Sequence, residues 1–132
     1  MTINVQRDPA SAMRHWVTVR EHKFSTDLSV TEGGADLGPD PHDFYDTSLG
    51  ACKAVTVLWY AKRKGIPVED IRVSVERDAG DERTGTYRLQ VTLHLTGDLS
   101  DAQRQELLAV AAKCPVHKLM TLVNTEITTA LA

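Results

Sequence analysis

Cys52 and Cys114 are the two cysteines of a 132-residue chain, and thiol chemistry is the first reaction class this sequence could carry. The thiolate, rather than the thiol, is the nucleophile, and a helix N-terminus or a nearby cation favours it. Cys114 stands in "KCPVHKLM", where Pro115 can open a helix at its first position, so the cysteine falls at or beside the N-cap. By local physics Cys114 is the better placed of the two to ionise. Cys52 stands in "SLGACKAVTVLWYAKRKG", inside a helix, and needs a cation from elsewhere in the fold, an arginine being the natural donor. Either cysteine taken alone also reads as an inert, buried small residue. Cys114 and His117 make a Cys-x-x-His step, but two more clear ligands are missing, so neither a metal nor a cofactor is expected.

The elements that must position these thiols follow from periodicity. Asp40, Pro41 and Asp43 form a helix start, with Asp40 as N-cap, Pro41 at the first position and a carboxylate favoured by the helix dipole. That helix runs to Lys64, where Gly65 and Pro67 stop it. Leu49, Cys52, Val55 and Trp59 share one face, yet Val57, Leu58, Tyr60 and Ala61 fill much of the rest. A helix apolar on most sides must be buried on most sides, and a single sheet covers one of them, so a second chain is expected against it.

Before that helix, Trp16–Arg20 and Phe24–Val30 alternate and read as a hairpin joined near His22, followed by the ordered loop "TEGGADLGPDP". Residues 1–12 read as a loose arm or an edge strand. After the helix, Ile71, Val73 and Val75, then Tyr87 to Leu95, alternate as two antiparallel strands joined by the polar turn "RDAGDERTG". Ser100 and Gln103 form a capping box for a helix that buries Leu107, Leu108 and Ala111 and ends near Lys113. A second helix starts at Pro115, and Thr125–Ala132 is a weak strand candidate. This order describes a single α+β domain over residues 1–132 with a mainly antiparallel sheet.

Composition narrows the partners. Net charge is −3 and basic residues are interspersed with acids, which gives no footprint for nucleic acid. No apolar run reaches the length of a signal peptide or membrane span, so a cytoplasmic, soluble protein is expected.

With these pieces in place, the sequence resembles the OsmC/Ohr family of thiol-dependent hydroperoxide reductases, from about Val17 to Val123. The resemblance is carried by "LGPDPHDFYDTSLGACKAVTVLWYAKRKGIP" and "AAKCPVHKLM", in the family's order, with sixty-one residues between the cysteines. "PHD", "GAC" and "YAKRKG" look most like the OsmC-like branch. The resemblance implies an intertwined homodimer with the cysteine helices central and two active sites at the interface. It also implies that Cys52 attacks an organic hydroperoxide, becomes a sulfenic acid and is resolved by Cys114 as a disulfide, which an external dithiol reduces. Local physics favours Cys114 as the first nucleophile and the resemblance favours Cys52, which is the expectation because tertiary partners can outweigh a helix terminus.

The family also uses an arginine from the N-terminal strands, for which Arg20 fits best with Arg14 as the alternative, and an acid at the start of the cysteine helix. There the chain departs from typical Ohr sequences: His42 replaces the glutamate after Pro41. Asp43 could take the part or simply cap the helix, and nine residues, about 13.5 Å along the helix, separate it from Cys52. Phe44, Tyr45, Trp59 and Met120 are candidates for an apolar substrate pocket, with core packing as the alternative. The competing functional readings are an OsmC-fold dimer that binds a small apolar ligand with weak or no peroxidase activity, and a redox sensor.

Overall fold

Alternation in the first part of the chain folds as a three-stranded antiparallel sheet. The computed structural model describes residues Met1–Ala132, and it forms two compact units, Met1–Tyr45 and Asp46–Ala132. In the first, β1 (Ile3–Arg7), β2 (His15–Val19) and β3 (His22–Thr26) lie in the order 1-2-3, with Val5 opposite Val17 and Val17 opposite Phe24. The N-terminal stretch is thus an edge strand. The hairpin turns at Arg20 and Glu21, next to His22 as expected, and His22 pairs with Val19; Arg20 takes the left-handed φ of 53° that the tight turn demands.

β3 stops at Thr26, short of the expected Val30, because Asp27 competes for the backbone beyond it. Its buried carboxylate accepts N–H bonds from Leu28 at 2.8 Å and from Ala35 and Leu37 at 3.1 Å each. The Leu37 bond is the largest influence holding this carboxyl below the usual aspartate range; burial opposes it, and Leu28, Ala35 and Arg14 add to it. The loop closes so tightly on the carboxylate that a Cβ at Gly34 would lie 2.1 Å from the Leu28 carbonyl oxygen. Asp27 N–H and the Thr26 hydroxyl then both donate to the Pro39 carbonyl, which delivers the chain to the next helix start.

That helix, α1 (Pro41–Lys64), begins with a reciprocal cap: Asp43 N–H donates to Asp40 Oδ1 at 2.9 Å and Asp40 N–H to Asp43 Oδ2 at 3.0 Å. It ends at Gly65, whose φ is 68°. In the second unit the buried stripe of α1 is Asp46, Leu49, Gly50, Lys53, Val57 and Ala61, which corrects the face expected from sequence. Cys52 is half-buried, while Val55 and Trp59 are 62% and 61% exposed. The reason is close approach and partnership. Gly50 lets the helix lie on β4, a Cβ there falling 2.9 Å from Val75, and both buried charges find partners on that side.

β4 (Asp70–Asp78) and β5 (Arg88–Thr96) pair antiparallel with Val73 opposite Leu93, and the exposure of β5 alternates along its whole length. α2 (Asp101–Ala111) carries both halves of the Ser100–Gln103 capping box. Val57, Ala61, Leu107 and Ala111 form the core, with Ile71, Leu93, Leu95 and Leu99 packed around it. Leu108, expected inside, is 51% exposed, since one residue is a 100° step around the helix from Leu107. α3 (Pro115–Thr121) follows at once. Residues 125–132 form no strand, correcting that expectation: the segment is exposed throughout and pairs with neither sheet, so no ladder holds it extended. The whole is an α+β chain with antiparallel sheets, and no helix is long and apolar enough to cross a membrane.

Candidate functional site

The first turn of α3 receives both thiols. Cys114 is its N-cap, and the Cys114 sulfur accepts the N–H of His117 at 3.4 Å. The Cys52 sulfur, from the middle of α1, accepts the N–H of Val116 at 3.5 Å. Val116 and His117 are neighbours in sequence, so the two sulfurs are held against successive amides of one turn. Cys114 is buried, Cys52 is half-buried, and both are free thiols. The Thr56 hydroxyl lies 3.9 Å from the Cys52 sulfur, one turn along α1. The expected position of Cys114 at a helix N-cap is what the structure shows.

Sequence reasoning missed Lys53, the residue that directly follows Cys52. Lys53 is 5% exposed, and its ammonium donates to the Ala111 carbonyl at 2.7 Å and lies 2.9 Å from His117 Nδ1. Opposite a charged ammonium, Nδ1 is the acceptor, which leaves the imidazole proton on Nε2. His117 therefore faces a lysine. The available signal was Lys53's spacing of three and four residues from Leu49, Gly50 and Val57. A cavity of about 260 Å³ adjoins this cluster, lined mainly by Leu49, Leu89, Val91, Leu93 and Leu108 together with Lys53 and His117.

A second buried charge sits two turns earlier on α1. Asp46 is 6% exposed and accepts from Arg77 Nε at 2.5 Å and from the Tyr87 hydroxyl at 2.7 Å. Burial first, and then the bond to the Asp46 carboxylate, push the Tyr87 phenol up to about 12. This trio ties α1 to β4 and to the start of the β5 segment. It too went unread in the sequence, because its members lie 31 and 41 residues apart.

The remaining candidates are placed as follows. Arg20 is exposed at the tip of the β2–β3 hairpin, 3.7 Å from the Met1 sulfur. Arg14 lies with its guanidinium 4.1 Å over the Trp16 ring and 3.8 Å from Asp8. Asp43 caps α1, Phe44 packs its ring 5.4 Å from that of Phe24, and Tyr45 is 49% exposed. In the second unit Trp59 lies on the exposed side of α1 under the Arg63 guanidinium, and Met120 is half-buried on α3.

A family model described as OsmC-like protein matches residues 33–130. Among solved structures, an OsmC-like protein from Mycoplasma pneumoniae superposes with a TM-score of 0.71 at 19% identity, over 92% of this chain and 87% of that one. An organic hydroperoxide resistance protein OsmC from Legionella pneumophila gives 0.63 at 21% identity, over 92% and 90%. The organic hydroperoxide resistance protein OhrB of Bacillus subtilis gives 0.60 at 23% identity, over 92% and 90%. No curated protein matches the chain.

Proposed function

The chain belongs to the OsmC-like family, and from that premise we propose that it is a thiol peroxidase that reduces organic hydroperoxides to alcohols in oxidative-stress defence. The observation that carries this reading is the delivery of Cys52 and Cys114 to successive amides of one turn. The Cys52 thiolate attacks the terminal oxygen of ROOH; the O–O bond breaks, the sulfur becomes S–OH, and the departing alkoxide takes a proton to leave as ROH. The Val116 N–H supports negative charge on that sulfur before attack. Cys114, giving up its proton, then attacks the Cys52 sulfur, and hydroxide leaves with that proton as water as the disulfide forms. An external dithiol supplies two electrons and two protons, restores both thiols and is itself oxidised to a disulfide.

The activating cation is Arg20 or Arg14 in this proposal, with Asp43 in the place of the family's acid, and the working unit is a homodimer. Val55, Leu58 and Trp59, apolar and exposed along α1, support the dimer. Phe44, Tyr45, Trp59 and Met120 remain proposed pocket residues. Turnover of cumene hydroperoxide with dithiothreitol tests the activity. Wild type should turn over and Cys52→Ser should not; a wild type no faster than free cysteine ends the peroxidase reading. Sulfenic acid found by mass spectrometry only on Cys114 would reverse the roles of the two thiols.

The apolar cavity of about 260 Å³ favours a second reading, a small apolar ligand bound with little peroxidase activity. His42, standing where typical Ohr sequences have the glutamate, favours this second reading as well.

A further inference from the structure

Lys53 grips the chain on both sides of Cys114. Ala111, whose carbonyl it holds at 2.7 Å, lies three residues before that cysteine, and His117, whose Nδ1 it meets at 2.9 Å, lies three residues after it. The same Ala111 carbonyl accepts the Cys114 N–H at 3.4 Å, and the His117 N–H donates to the Cys114 sulfur. Every bond of this set reaches Cys114 or a residue three away from it. The anchor is the residue that directly follows Cys52 on α1.

An ammonium this deeply buried is costly unless its donors are satisfied. Ala111 O answers this in part, being the last carbonyl of α2, where the helix dipole favours a cation. The long side chain thereby fixes the turn between α2 and α3 to the backbone that carries the other sulfur. A hydrophobic residue of similar length would fill the space but would hold neither Ala111 nor His117.

We infer that Lys53 is a positioning residue: it clamps the Cys114 turn against α1 so that Cys52 and Cys114 form their disulfide at high effective concentration. The inference rests on the two-thiol reading above. In the exchange, two thiols and one glutathione disulfide give one protein disulfide and two molecules of glutathione, two electrons passing from the protein sulfurs to the glutathione disulfide. Holding the reduced sulfurs in place pre-pays the ordering that this reaction requires.

The test is the equilibrium of that exchange in glutathione redox buffers, with the protein disulfide quantified by thiol alkylation and mass spectrometry. Lys53→Met should lower the equilibrium constant at least fivefold, about 20 mV towards a less reducing potential. His117→Phe, which leaves the Ala111 bond, should shift it the same way by less. A smaller change in Lys53→Met, or a shift to a more reducing potential, overturns the clamp. Should Lys53→Met fail to fold, Lys53→Leu, which likewise has no donor, stands in with the same threshold; loss of fold in both also overturns it, since Lys53 would then be a general stability residue. A wild type that forms no disulfide at any buffer ratio ends the two-thiol reading together with the clamp. A wild type that forms it, beside variants that do so equally well, ends the clamp alone.

Discussion

The two faces of α1 depart from a simple apolar-in, polar-out arrangement. Its inward stripe carries Asp46 and Lys53 at 6% and 5% exposure, while its outward side shows Val55, Leu58 and Trp59 at 62%, 41% and 61%. Charge goes inside where partners wait: Asp46 meets Arg77 and Tyr87, and Lys53 meets Ala111 and His117. The apolar residues stay outside because no element of their own unit covers them. Burial on this helix is thus decided by available partners as much as by hydrophobicity. The exposed apolar side is the seat of the second copy in the dimer proposed above.

The largest effect should come from breaking the inward charge network. Asp46→Ala leaves the Arg77 guanidinium and the Tyr87 hydroxyl without their carboxylate, and should cost about 3 kcal/mol of unfolding free energy in urea titrations. Asp46→Asn, which keeps a hydrogen-bond acceptor, should cost less. Equal losses in the two variants would show that charge, rather than hydrogen bonding, holds the trio. Next in size is Val57→Ala, which removes two methyl groups from the fully buried core and should cost about 2 kcal/mol by the same measurement.

These partners also explain which parts of the molecule were legible in the sequence. The strands β4 and β5, the caps of α1 and α2, and Cys114 at the start of α3 follow from local signals: alternation, Asp40 with Pro41, Ser100 with Gln103, and Pro115. What failed to show were decisions made between distant residues. The inward face of α1 depends on Gly50 against Val75, and on Lys53 reaching a histidine 64 positions away. With apolar residues all round that helix, periodicity could not choose a side. The end of β3 likewise depends on Asp27 collecting amides from as far ahead as Leu37. The thiols were found by residue type and by resemblance, but Lys53 between them carries no motif.

Alkali sharpens the comparison through Tyr87. An unfolded tyrosine ionises near pH 10, whereas the folded phenol is raised to about 12. A group raised on folding contributes fully below its unfolded value and loses that contribution as pH climbs through the folded one. Stability should therefore fall between about pH 10 and 12 by an amount that Tyr87→Phe removes. Urea titrations across this range measure it, and a variant with the same slope as wild type would place the alkaline loss elsewhere.

The smallest effect on the protomer should come from the outward side, and its smallness is informative. Trp59 is 61% exposed, and its ring lies under the Arg63 guanidinium, 4.9 Å away. Trp59→Lys should change the protomer's own stability by no more than about 0.5 kcal/mol, against about 2 kcal/mol for Val57→Ala two residues earlier. If a second copy covers this side, the same substitution places a charge in an apolar interface and should turn a dimer into a monomer in sedimentation experiments over a concentration series. A wild type that sediments as a monomer throughout would remove the homodimer from the proposal. A Trp59→Lys variant that stays dimeric would instead put the interface on another surface. Either result separates what α1 does for its own chain from what it does for a partner.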